Sequence, residues 1–123
     1  MAYKGRARNP PSMESPRSPD SQELIEEFGR RLAVAAPGAE VILFGSRARG
    51  EERPDSDVDL LVIEPREVDR PRAESARLRR ALRGFGVGLD VIVVSREHVD
   101  EWGHFKGSLL NDALTEGRVL VEA

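Results

Sequence analysis

The chain has 123 residues, 33% of them charged and 39% hydrophobic, with a net charge of −3 and no cysteine. That length supports one domain, the missing cysteines exclude disulfides and thiolate metal sites, and the longest apolar runs fall far short of the ~20 residues that a membrane span needs. The first twenty residues carry a net +2 and the remainder −5, a poor electrostatic footprint for a protein dedicated to binding nucleic acid. No charged leader followed by an apolar stretch opens the chain, so a cytoplasmic protein without membrane association is expected.

Residues 1–20 hold Pro10, Pro11, Pro16 and Pro19 among serines and arginines, without apolar periodicity. They read as a disordered tail, with a basic arm touching RNA or a partner as the alternative. Met13 is a second candidate start. Asp20 and Glu23 have the spacing of a capping box. Leu24, Ile25, Phe28 and Leu32 then recur at helical spacing, and Pro37-Gly38 should stop that helix near Ala36. Glu40 to Phe44 reads as a first strand, Ser46 to about Gly50 as the start of a short helix, and residues 51–56 as a polar loop. Asp57 to Glu64 is a second strand. Asp69 is placed to cap a helix running to about Arg83, with Leu78 and Leu82 as its apolar stripe. Its arginines (Arg72, Arg77, Arg79, Arg80, Arg83) suit a solvated face better than an RNA or partner contact. Gly84, Gly86 and Gly88 mark the turn into a third strand over 87–94. Ser95 can cap a helix over 96–102. Another helix over 108–116 should end at Gly117 as a C′ residue, and Val119 to Val121 is a short last strand. Trp102 and Phe105 fit a core better than an exposed patch, and His98 and His104 lack metal-ligand spacing. The order predicts an α/β or α+β domain over residues 21–123, built on a small mixed sheet with flanking helices.

Three acids stand out against this frame. In a strand, residues i and i+2 share a face, so Asp57 and Asp59 stand side by side with Leu61 and Ile63 below them. Two adjacent carboxylates resist ionising together unless a cation compensates them. Hard oxygen ligands of this kind suit Mg²⁺, which commonly takes one or two carboxylates plus substrate phosphates. Asp90 lies in an otherwise apolar strand and shares a face with Ile92 and Val94. If the two strands are neighbours, three carboxylates converge. Gly45 and Ser46 close the first strand, where backbone N–H groups and a hydroxyl are available to phosphates.

The segments Leu43-Phe44-Gly45-Ser46-Arg47-Ala48-Arg49-Gly50, Ser56-Asp57-Val58-Asp59-Leu60-Leu61-Val62 and Leu89-Asp90-Val91-Ile92 resemble the minimal nucleotidyltransferase domain of the DNA polymerase β superfamily. The likeness covers most of residues 21–123. Its closest subgroup is the small stand-alone type often found as the antitoxin of a HEPN toxin. The closing Glu116-Gly117-Arg118-Val119-Leu120 looks typical of that type. The resemblance implies a polymerase-β-like fold and an Mg²⁺-dependent transfer of a nucleotide from its triphosphate. It assigns Asp57, Asp59 and Asp90 to two Mg²⁺ ions about 3.5–4 Å apart, with Asp90 also helping to deprotonate the incoming hydroxyl. It assigns Gly45 and Ser46 to the phosphates of ATP. Arg47 and Arg49 can offset triphosphate charge or belong to a solvated face.

In that family AMP passes from ATP to a tyrosine of the HEPN RNase toxin, which silences it. The resemblance therefore implies a protein partner, in a hetero-oligomer with the toxin or alongside a homo-oligomer, and no nucleic acid bound directly. Two other functions compete. One is a non-catalytic antitoxin that masks its toxin. The other is a nucleotidyltransferase acting on a small molecule, which would need an acceptor pocket that this short chain leaves little room for.

Overall fold

The structure, a computed structural model, describes residues 21–50 and 57–123. The expected tail, the Asp20 cap and the polar loop over 51–56 lie outside the described residues. The elements are α1 (Ser21–Ala35), β1 (Glu40–Phe44), β2 (Val58–Glu64), α2 (Pro71–Ala81), β3 (Leu89–Ser95), α3 (Arg96–Trp102), α4 (Leu109–Glu116) and β4 (Arg118–Val121). The four strands form one mixed sheet in the order β3-β2-β1-β4. β1 runs antiparallel to both β2 and β4, and β2 runs parallel to β3. A parallel pair needs a long crossover, and α2 supplies it.

The sheet is covered on both faces, which explains why its central strands read as continuous apolar runs. One face presents Val41, Leu43, Leu60, Val62, Val91 and Val93. The stripe Leu24, Phe28 and Leu32 of α1 packs on it, with Leu78 of α2 and Leu82 just beyond. The Phe28 ring meets Phe85 edge-on, with centroids 5.3 Å apart. The other face presents Ile42, Phe44, Leu61 and Ile63, covered by Val99 of α3 and by Leu110, Ala113 and Leu114 of α4. Alternation along β2 therefore sends Leu60 and Val62 to the α1/α2 side and Asp59, Leu61 and Ile63 to the α3/α4 side.

Several local expectations change. Residues 46–50 form turns and no helix. The Ala48 and Arg49 N–H groups donate to the Gly45 carbonyl at 3.1 and 3.2 Å, and Gly50 then turns the backbone to φ +75°, which an α-helix does not accept. Asp69 is not the cap of α2. Arg70 holds that place without a side-chain bond, and Pro71 starts the helix, where its missing N–H costs nothing. Ser95 does cap α3, accepting from the His98 N–H at 3.1 Å. Gly117 is extended, at φ −78°. Its role is space: a β-carbon there would overlap the Ala113 carbonyl and the Ile42 side chain.

Trp102 and Phe105 are not core. They are 50% and 49% exposed. Of the seven residues of α3 only Val99 is buried, so a helix this short anchors one side chain and leaves its last turn in solvent. His98 and His104 are exposed.

Candidate active site

β2 and β3 are in register with Asp59 directly opposite Asp90. Residues opposite each other on neighbouring strands share a face, so the two carboxylates stand side by side. Phe44 is the partner of Asp59 on the other side. β2 begins at Val58, one residue later than the spacing implies, and Asp57 precedes it as an exposed residue. The Val58 N–H donates to the Gly88 carbonyl at 2.9 Å, which ties the Asp57 end of β2 to the entry of β3.

Two glycines make room for these acids. Gly45 has φ +78°, and a β-carbon there would overlap the Asp59 carboxylate. Gly88 is related to Asp57 in the same way. Gly45 thus permits a close approach, and the group that approaches is the Asp59 side chain.

The acids interact electrically. Burial pushes the Asp59 carboxyl above the usual carboxylate range, and the negative charges of Asp90 and then Asp57 push it further, while Arg49 pulls it back. Like charges this close favour a proton or a cation between them. A cleft of about 290 Å³ opens beside the pair, lined by Phe44, Gly45, Arg49, Asp59, Asp90 and three residues of α4: Leu109, Asp112 and Glu116. Arg49 lies 3.9 Å from Glu116 in a solvent-exposed pair, a weak contact. Of the residues singled out from sequence, the cleft collects Gly45, Arg49, Asp59 and Asp90. Ser46 and Arg47 are half-buried in the adjoining turns, Asp57 is exposed just before β2, and none of the three lines it. The α4 residues were not anticipated. The signal was present, since Asp112 and Glu116 are four apart and share a helix face, but the sequence does not say which way that face points.

Among the described residues, no three His, Asp or Glu side chains close into a ready-made metal cage. The donor set still fits Mg²⁺, which completes its shell with water and substrate phosphates and is rarely caged by protein alone. The raised Asp59 carboxyl reflects burial first and the neighbouring charges of Asp90 and Asp57 second.

A family profile described as a nucleotidyltransferase domain matches residues 21–120. The chain belongs to the nucleotidyltransferase family. It is 32% identical over 103 residues to a Methanocaldococcus jannaschii protein described as a candidate protein adenylyltransferase, covering 82% of this chain and 98% of the relative. Among solved structures it resembles one described as a candidate minimal nucleotidyltransferase, at 35% identity and TM-score 0.53, covering 79% of this chain and 92% of the other. It also resembles a candidate nucleotidyltransferase from Sulfolobus solfataricus, at 25% identity and TM-score 0.54, covering 79% and 76%. A toxin–antitoxin structure with AMP-PNP shares the fold, at 22% identity and TM-score 0.51, covering 80% and 73%. The mixed sheet with flanking helices is therefore that of a polymerase-β-like nucleotidyltransferase. Among the described residues, no helix is long and apolar enough to cross a membrane.

Proposed function

We propose that this nucleotidyltransferase is an Mg²⁺-dependent protein adenylyltransferase, an antitoxin that moves AMP from ATP to a tyrosine of a HEPN RNase toxin and so inactivates it. The observation that carries the reading is the register pair Asp59–Asp90 beside a cleft with a glycine turn. The curated relative described as a protein adenylyltransferase and the toxin–antitoxin structural neighbour support it.

In this reading Asp57, Asp59 and Asp90 hold the ions, and Gly45 keeps the backbone clear of the Asp59 carboxylate. A bound divalent ion neutralises triphosphate charge and polarises the reacting oxygens. Ser46 and Arg47, on the turns beside the cleft, and Arg49 within it, offer a hydroxyl and two guanidinium groups to phosphate oxygens. The acceptor hydroxyl attacks the α-phosphorus, the bond to the bridging oxygen breaks, and pyrophosphate leaves with the electron pair. Asp90, at the exposed end of the site, takes the hydroxyl proton.

The test is co-expression with the protein encoded by the adjacent reading frame, followed by intact mass spectrometry of that partner. The expected result is a mass gain of one or more AMP units, lost with Asp59→Asn. A partner neutralised equally well by Asp59→Asn, with no mass gain, would make the chain a masking antitoxin instead.

A further inference from the structure

Next to the carboxylate cleft lies a second space, an apolar slot of about 190 Å³. The two share Phe44 and Leu109 as a common wall. The sheet side of the slot is Leu61, Ile92 and Val94, and α4 contributes Leu110 and Ala113. His98 and Leu109, both exposed, stand at its rim. Interiors are normally packed without voids larger than a water, so an open apolar space beside the reacting groups calls for an occupant. The size suits a single six-membered ring: an engineered cavity of about 150 Å³ lined by Leu, Ile and Phe binds benzene.

The chemistry of the walls chooses between rings. A purine carries polar atoms around its edge, and burying them among aliphatic side chains without partners is unfavourable. It also has two fused rings. A phenol has one polar atom, and the layout leaves that atom outside. Asp90, Ile92 and Val94 follow one another on one face of β3, each pair separated by two residue steps, ~6.6 Å. A ring laid over Ile92, with Cβ toward Val94 and His98, points its hydroxyl along the strand toward the Asp90 and Asp59 end of the slot.

We infer that this slot is the acceptor subsite, which takes the aromatic ring of a phenolic hydroxyl acceptor, and that Ile92, Leu110 and Ala113 determine specificity for a phenol over an aliphatic alcohol. The inference rests on the proposed nucleotidyl transfer and adds to it the place where the acceptor ring sits. In the step, the phenol oxygen forms the new bond to the α-phosphorus, the bond from that phosphorus to pyrophosphate breaks, and the phenol proton passes to Asp90, as in the transfer proposed above.

The test uses the full chain with Mg²⁺. Methyl NMR of Leu61, Ile92, Val94 and Leu110 is followed as p-cresol is added with AMP-PNP already bound. The expected result is shifts at those methyls without displacement of the nucleotide. In parallel, AMP transfer from ATP to N-acetyl-tyrosinamide should exceed transfer to N-acetyl-serinamide. Ala113→Leu, which fills the slot, should lower the former about ten- to a hundredfold, the worth of burying one ring. Absence of cresol shifts, competition between cresol and AMP-PNP, or equal use of the two acceptors would overturn the inference. The NMR arm needs no folded variant and no turnover. Cresol binding with no transfer to any acceptor would refute the nucleotidyl-transfer reading underneath it instead.

Discussion

The Asp59 carboxylate fills the space where a β-carbon on residue 45 would stand. The glycine that ends β1 and the acid near the start of β2 are thus one unit. Gly45→Ala should fail twice. It places an L side chain at φ +78°, which costs about 1–2 kcal/mol, and it drives the Asp59 side chain out of its position. The expected outcome is a lower melting temperature and a loss of nucleotidyl transfer of more than about a hundredfold. Unchanged transfer in a folded Gly45→Ala protein would mean that the Asp59 orientation is unimportant.

Gly88 offers a cleaner version of the same experiment, because its backbone is not in the left-handed region. Gly88→Ala displaces Asp57 without adding strain at a positive φ. Transfer should fall by about ten- to a hundredfold, the range seen when a metal-site support is removed, while the chemical-denaturation midpoint moves little. A large stability loss with intact activity would contradict a supporting role for Asp57.

The sheet and its acids were legible because both signals are periodic and local. Val41-Ile42-Leu43-Phe44 and Leu60-Leu61-Val62-Ile63 read as buried strands, and i, i+2 spacing put Asp59, Leu61 and Ile63 on one face, while Asp57 lies one residue before β2 begins. That Asp90 joins Asp59 depends on which strands pair, and the crossover α2 decides it. The α4 wall of the cleft was not legible, since Asp112 and Glu116 reach the site only through the path of the chain after α3. Trp102 misled for a physical reason. Aromatic side chains usually carry core packing, but α3 has a single buried anchor, Val99, and leaves Trp102 outside.

Trp102, Phe105 and the two histidines form a row of neighbouring rings in solvent: His98–Trp102 at 6.5 Å, Trp102–Phe105 at 5.4 Å and His104–Phe105 at 4.5 Å between centroids. Replacing Trp102 and Phe105 together by serine should cost about 1 kcal/mol or less of folding stability, as for exposed positions. A loss of about 3–5 kcal/mol, the range for buried aromatics, would show that these rings are packed in solution. Urea unfolding of the double variant separates the two.

Far from the cleft, Glu64 at the end of β2 faces Glu74 and Arg77 of α2. Burial, then the hydrogen bond and the charge of Glu74, push the Glu64 carboxyl up to about 7. Arg77, then the Glu64 hydrogen bond, draw Glu74 down to about 2. A raised acid holds its proton more tightly folded than unfolded. The Glu64 contribution is therefore full below its ordinary value of 4.5 and is lost as pH rises from 4.5 through about 7. The Glu74 contribution has the opposite sign: it is present above 4.5 and lost as pH falls toward 2. Stability from this pair should peak near 4.5. Glu64→Gln should abolish the decline on the alkaline side, read as urea midpoints that stay level from about pH 5 to 7. A variant that still declines like the parent would place the pH dependence elsewhere.

The most direct test is a double-mutant cycle on Asp59 and Asp90, read by calorimetric titration of AMP-PNP with and without Mg²⁺. Register partners that share one bound ion should not act independently. Asp59→Asn and Asp90→Asn should each weaken Mg²⁺-dependent binding by more than about tenfold, and the double variant should bind little worse than either single one. Independent, multiplying losses, or Mg²⁺-dependent binding that survives both substitutions, would contradict the two-carboxylate site.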